Sequence, residues 1–211
     1  MRFYQFHDTT REAYIRKSAN VNDNVFLRSD GSNLGAFLYM LKNKTPKSYN
    51  DILDTIKQIA PYIDELVLED DYNSSHINLC WKERYQNRYN FNAAQMSDGT
   101  LRALALVTLL MQPNIPPVIC IDEPELGLHP EGIAILADLI KCASEKSQII
   151  VATQSAALIN YFEPQDIIVV NKERGETRFE RLEYKKYEAW LSEYSLSEVW
   201  ETNVFGGRPL H

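Results

Sequence analysis

With 211 residues, 45% hydrophobic and 24% charged, the chain has the composition of a globular protein of one domain, or of one domain with a small subdomain, able to bury a sizeable core. A formal charge of -7 and a pI of about 5.2 argue against a chain whose main task is coating DNA or an anionic membrane. Cys80, Cys120 and Cys142 lack metal-ligand spacing and read as buried, reduced thiols; with no run of transmembrane length and no signal-peptide core at the start, the expectation is a cytoplasmic protein.

In chain order, Phe3-Tyr4-Gln5-Phe6 suits a strand, and residues 7–11 a polar loop. Turn signals follow at 20–24 and 29–32. Asn33 is placed to cap a helix over 33–42, with Leu34, Phe37, Leu38 and Leu41 on one face. Tyr49-Asn50-Asp51 opens a second helix, lined by Ile52, Ile56 and Ile59 and stopped by Pro61. Residues 62–91 change to alternation and aromatics, which predicts two or three antiparallel strands around 65–69, 77–81 and 88–91, joined by turns such as 70–75. The aromatics suit half-buried sheet positions, with base stacking as the other use.

Met96-Ser97-Asp98-Gly99-Thr100 precedes a strongly apolar helix over 101–111, ended by Gln112-Pro113-Asn114. A serine hydroxyl and a glycine at a helix start make either a simple N-cap or an anion site. Val118-Ile119-Cys120-Ile121 then reads as a strand buried on both faces, from which Asp122 and Glu123 emerge. Ligands of open α/β sheets sit beyond the carboxyl ends of the strands. An acid that organises a hydrated metal, beside one that takes a proton from water, suits metal-assisted phosphate hydrolysis, although a strand can also simply end in a solvated loop.

Residues 124–130 form a rigid loop into a helix over 131–144, with Ile133, Leu136, Ala137 and Ile140 inward. A second buried strand, Ile149-Ile150-Val151-Ala152, ends in Thr153-Gln154-Ser155, giving a βαβ unit. Gln154 is either a loop residue or an amide able to orient water near Glu123. A short helix over 156–162, a strand at 167–170, a hairpin strand at 177–182 after a turn at Arg174-Gly175, and a helix over 187–194 follow. The end, with Gly206-Gly207-Arg208-Pro209, reads as a flexible tail.

The ordered set Ser97-Asp98-Gly99-Thr100, Asp122-Glu123, Leu126-Gly127-Leu128-His129-Pro130 and Ala152-Thr153-Gln154-Ser155 resembles the C-terminal lobe of an ABC-type ATPase of the RecF/SMC-like group, with the overcoming-lysogenization-defect and related AAA-labelled families included. The resemblance covers residues 96–170 specifically and the flanks, Phe6-His7-Asp8-Thr9 and Gly206-Gly207-Arg208-Pro209, loosely. It implies an α/β P-loop NTPase fold, ABC ATPase-like: a mostly parallel sheet flanked by helices, with a small antiparallel β/helical subdomain. The implied division is a helical and antiparallel head region at 1–95, a signature, Walker B and switch lobe at 96–185, and a C-terminal helix and tail at 186–211.

The same resemblance implies ATP and Mg2+ as cofactors. Ser97, Gly99 and Thr100 fall at the signature motif, which contacts the γ-phosphate of a nucleotide held by the opposite protomer. Asp122 falls at the Walker B aspartate that positions the metal, and Glu123 at the general base. Residues 126–130 fall at the D-loop of the dimer interface, and Gln154 where the family has a switch histidine. Gln154 can hydrogen-bond but cannot carry an imidazolium charge. The sequence contains no Gly-x-x-x-x-Gly-Lys-Ser/Thr phosphate loop. The expected partners are therefore an N-terminal Walker A lobe or a homologous protomer, in a head-to-head dimer, without which the chain should bind ATP poorly. Nucleic acid, DNA repair and phage defence enter through the family alone. Two other classes remain open: a non-hydrolysing dimerisation module, and a metal-dependent nuclease using Asp122, Glu123 and Glu125.

Overall fold

A computed structural model describes residues 1–71, 75–86, 88–173 and 175–206. The chain forms two compact units, Met1–Thr153 and Gln154–His211. The first runs through β1 (Arg2–Tyr4), β2 (Ala19–Asn20), α1 (Leu34–Lys44), α2 (Pro46–Ile59), β3 (Ile63–Asp71), β4 (His76–Glu83), β5 (Phe91–Asn92), α3 (Asp98–Met111), β6 (Val118–Asp122), α4 (Pro130–Ser144) and β7 (Gln148–Ala152). The second holds α5 (Ala156–Ile159), β8 (Ile168–Glu173), β9 (Glu176–Arg181), α6 (Tyr184–Leu191) and α7 (Leu196–Glu201).

A three-stranded parallel sheet, ordered β1-β6-β7, puts the acid-bearing strand in the middle. Phe3 pairs with Cys120, and Asp122 with Ala152. The expected βαβ unit is β6-α4-β7, with Ile133, Leu136, Ala137 and Ile140 all buried. Beside it, α3 is apolar around most of its circumference and is buried from Thr100 to Leu110 apart from Arg102. Such a helix belongs in the middle of a core, and α3 packs against both α2 and α4.

The antiparallel sheet is ordered β2-β4-β3, with β5 added to β4. Its aromatics serve one another: Phe91 stacks on Trp81 at 4.8 Å and Tyr62 meets Trp81 edge-on at 5.4 Å. The second unit closes around Ile159, Val169, Leu182, Tyr187, Leu196, Val199 and Phe205.

Several local expectations shift. Asn33 stands at the start of α1 but makes no side-chain cap; fully buried, it accepts from the Arg28 amide and donates to the Asp23 and Phe26 carbonyls, holding the preceding loop. Helix α2 begins earlier than expected because Pro46 suits a first helical position. Ser-Asp-Gly-Thr is not a turn ahead of α3: Ser97 is the N-cap and the other three residues are already helical. Cys142 is exposed, whereas Cys80 and Cys120 are buried.

At the C-terminal end α6 starts at Tyr184, and α7 was not anticipated although Ser195 and Glu198 form a capping box. The tail is packed as far as Phe205, which meets Tyr187 edge-on at 4.8 Å. The anticipated turns at 70–75 and 174–175 and the end from Gly207 fall partly or wholly outside the described residues. Among the described residues no helix is long and apolar enough to cross a membrane.

Candidate functional site at the carboxyl end of the parallel sheet

Strand β6 is buried at Ile119, Cys120 and Ile121 and surfaces at Asp122. The next residue, Glu123, has φ +38, a left-handed conformation that a non-glycine residue rarely adopts. Its amide donates to the Ala152 carbonyl at 2.8 Å, and its carbonyl accepts from the Leu126 amide at 3.2 Å. The strand therefore turns sharply at Glu123 while remaining tied to β7. Left-handed strain costs on the order of 1 kcal/mol and persists where surrounding bonds fix it.

Glu125 lies under that turn. Its Oε1 accepts from Thr153 Oγ1 at 2.5 Å, while Oε2 is buried and has no partner among the described residues. Burial raises the Glu125 carboxyl above the ordinary carboxylate range, against the lowering effect of the Thr153 and backbone hydrogen bonds, and the charges of Glu123 and Asp122 push it further up.

The residues after β1 reach the same place. Gln5 Nε2 donates to Asp122 Oδ2 at 3.4 Å and lies 3.3 Å from His7 Nδ1. His7 Nε2 is 3.0 Å from the Asp122 carbonyl, which can only accept, so the ring proton is on Nε2. An aspartate whose carbonyl and carboxylate are both held by the loop after β1 is fixed in position.

The start of α3 builds the second part of the site. Ser97 is exposed and Thr100 buried. The Ser97 hydroxyl accepts from the Thr100 amide at 3.2 Å and donates to Thr100 Oγ1 at 2.8 Å; that atom also meets the Tyr62 hydroxyl at 2.7 Å. Thr100 thus supports Ser97 from below. Gly99 packs directly on Gly127, whose φ is +81: a Cβ on Gly99 would collide with the Gly127 carbonyl oxygen. Leu126, Gly127 and His129 are exposed, so the loop and helix start share one surface.

Two arginines that sequence patterns did not single out hold these parts together. Arg102, on the first turns of α3, donates Nε to the Phe6 carbonyl at 3.1 Å, Nη2 to the His7 carbonyl at 2.7 Å and Nη1 to the Leu126 carbonyl at 3.2 Å. It ties the start of α3 to both the loop after β1 and the loop after β6. Arg16, almost completely buried, donates to the Thr9, Ala93 and Met96 carbonyls and pairs with exposed Asp98. Its planar fork suits such multiple acceptors.

Comparison with known proteins gives the family. Residues 8–160 match the family described as "AAA domain, putative AbiEii toxin, Type IV TA system". The chain belongs to this AAA domain family. A curated relative is the chromosome partition protein Smc of Methanocaldococcus jannaschii, 26% identical over 120 residues; the match covers 56% of this chain and 10% of that protein, so this AAA domain spans about a tenth of the relative's length.

Its fold is that of SMC heads. A structure from work on ATP-driven dimerization and DNA-stimulated activation of SMC ATPases aligns with TM-score 0.53 and 21% identity over 74% of this chain and 96% of that one. An Smc head bound to the C-winged helix domain of ScpA aligns with TM-score 0.59 and 19% identity over 84% and 55% of the two chains. The Pyrococcus yayanosii Smc head aligns with TM-score 0.53 and 22% identity over 76% and 30%.

In this AAA domain Asp122 and Glu123 lie together with Gln5 and His7, and Ser97 and Gly99 lie with the 126–130 loop. Gln154 lies two residues beyond β7, as the first residue of the second unit. Among the described residues no three His, Cys, Asp or Glu side chains form a metal-binding group. Asp122 alone fits a magnesium ion whose other ligands are phosphate and water, the usual way that ion is held. Phe6-His7-Asp8-Thr9 was the one sequence signal for the Gln5 and His7 contribution; nothing local marks Arg16 or Arg102.

Proposed function

We propose that this AAA domain supplies the signature, Walker B and D-loop side of an ATP-hydrolysing head, its nucleotide site completed by a P-loop lobe and a second protomer. The observation that carries this reading is the joining, through Gly99–Gly127 and Arg102, of an exposed serine at a helix start to the loop after the acid-bearing central strand. Glu123 takes the proton of the attacking water, its position set by the turn against Ala152. Asp122, steadied by Gln5 and His7, holds magnesium, which when bound neutralises charge on the phosphate oxygens. Ser97 offers its hydroxyl and the start of α3 its dipole to the γ-phosphate on the opposite protomer. Gln154, in the place of the switch histidine, can hydrogen-bond but carries no charge.

The test is phosphate release by the chain mixed with a lobe carrying Gly-x-x-x-x-Gly-Lys-Ser/Thr. Release should need both parts, and Glu123→Gln should lower it by about 100-fold or more. Release that Glu123→Gln leaves unchanged removes Glu123 as base. The resemblance favours the second reading, a non-hydrolysing dimerisation module, because it implies a switch histidine at the position of Gln154. In that case a labelled ATP analogue would fail to bind the reconstituted assembly, and no phosphate would be released. A DNA substrate in DNA repair or phage defence belongs to this reading only through the family.

A further inference from the structure

The hydroxyl of Ser97 already has a use inside the protein. Its oxygen accepts from the Thr100 amide at 3.2 Å, and its one hydrogen goes to Thr100 Oγ1 at 2.8 Å. A hydrogen used inward is not available to a phosphate outside. Turning it outward takes a donor from Thr100 Oγ1, on a residue only 8% exposed, and a buried oxygen left without its donor opposes the turn.

Tyr62 removes that opposition. Its Oη lies 2.7 Å from Thr100 Oγ1, and either oxygen can donate to the other. When the phenol donates, Thr100 keeps a hydrogen bond to its oxygen after the Ser97 hydrogen has turned away. The Ser97 oxygen does not have to move, because the Thr100 amide holds it in both states. The three hydroxyls thus form a chain with two directions, and only one of them leaves a hydrogen for the surface. No proton changes owner; each O–H bond only rotates.

The phenol is held at both ends. Its backbone carbonyl accepts from the Arg84 amide at 2.9 Å. Its ring meets Trp81 edge-on at 5.4 Å, and Trp81 is stacked in turn on Phe91 at 4.8 Å. Phenylalanine would serve that packing equally well, so the contact with Trp81 does not account for the hydroxyl. The bond to Thr100, 38 residues away in the chain, does.

We infer that Tyr62 is a positioning residue for Ser97: by donating to Thr100 it frees the Ser97 hydrogen for the terminal phosphate of a nucleotide on the opposite protomer. The inference rests on the function proposed above and deepens it, since it makes the grip at Ser97 depend on that phosphate. A diphosphate offers no acceptor there, and the Ser97 hydrogen stays on Thr100.

The experiment measures binding of a labelled, non-hydrolysable ATP analogue and of ADP to the full chain assembled with a lobe carrying Gly-x-x-x-x-Gly-Lys-Ser/Thr, together with phosphate release. Tyr62→Phe keeps the ring and removes the hydroxyl. It should weaken the analogue about tenfold, lower kcat/KM for ATP to a similar extent and leave ADP binding unchanged. Added to Ser97→Ala it should change nothing further, because the two side chains act through one hydrogen. A Tyr62 that only supports the fold would weaken both nucleotides and add its full effect to that of Ser97→Ala. Either result overturns the inference and leaves a composite ATPase intact, as does analogue binding undiminished by Tyr62→Phe. If circular dichroism shows Tyr62→Phe to be unfolded, Thr100→Val cuts the same chain and the same readings decide. A wild-type assembly that binds no analogue, or a Ser97→Ala assembly that binds it at full strength, overturns the proposed function, and the inference falls with it.

Discussion

Gly99 and Gly127 meet backbone to backbone, one in the first turn of α3 and the other in the loop after β6, with no space for a side chain on Gly99. The contact fixes the spacing between the two motifs on which the proposed ATPase surface depends. Alanine in a helix is ordinarily better than glycine by about 1 kcal/mol. Overpacking against a backbone oxygen costs about 1–3 kcal/mol. The second effect should win: Gly99→Ala should lower the urea midpoint or push the 126–130 loop outward, read as faster amide exchange at Leu126 and Leu128. Gly127→Ala should cost about 1–2 kcal/mol through its left-handed backbone alone, and a double variant should be less than additive because both changes open the same contact.

Arg102 satisfies three backbone carbonyls from two loops distant in sequence. Hydrogen bonds to a charged donor contribute about 1.5–3 kcal/mol each when buried, and water recovers part of that at a half-exposed site. Arg102→Ala should therefore lose about 2–3 kcal/mol by chemical denaturation. Arg102→Lys, with one compact charge in place of a fork, should recover less than half of it. An equal stability for Lys and Arg would mean that charge alone matters there.

Glu125 gives a pH dependence whose sign follows from its surroundings. Burial, then the neighbouring carboxylates, raise its pKa in the folded protein despite the bond from Thr153. A raised pKa contributes stability that is fully present below the unfolded value, about 4.3, and lost as pH rises through the folded one. Glu125→Gln keeps an acceptor for Thr153 and removes the charge. The variant should gain stability over the wild-type chain as pH goes from 4 to 7, measured as the difference in urea midpoints; a constant difference would show that Glu125 does not titrate differently on folding.

At the alkaline end the corresponding group is Tyr49, whose hydroxyl donates to the Leu66 carbonyl at 3.2 Å under the antiparallel sheet. Burial, with a smaller contribution from the Glu65 charge, pushes its pKa up to about 12. The unfolded phenol ionises near 10, so stability should fall between about pH 10 and 12 as the unfolded state alone loses the proton. Tyr49→Phe should flatten that limb of the stability profile and remove one late step from an ultraviolet titration of the phenolates.

What the sequence determined by itself is the set of local patterns. Four apolar residues before Asp122, the apolar run after Gly99 and the Ile133-Leu136-Ala137-Ile140 face locate β6, α3 and α4 because hydrophobic periodicity is written in neighbouring residues. The same locality put the acid pair at a strand end and the serine at a helix start.

Tertiary structure decided the rest. His7 and Asp122 are 115 residues apart, Arg102 and Phe6 96, and Arg16 and Asp98 82, and no periodicity links positions so distant. The left-handed backbone of Glu123 is imposed by its bond to β7, since glutamate has no preference for it. Phe205, in what reads as a tail, is ordered by the rings and aliphatic groups it meets only after α6 and α7 have packed. Local preference chooses the elements; close packing and the need to satisfy buried polar groups choose how they meet.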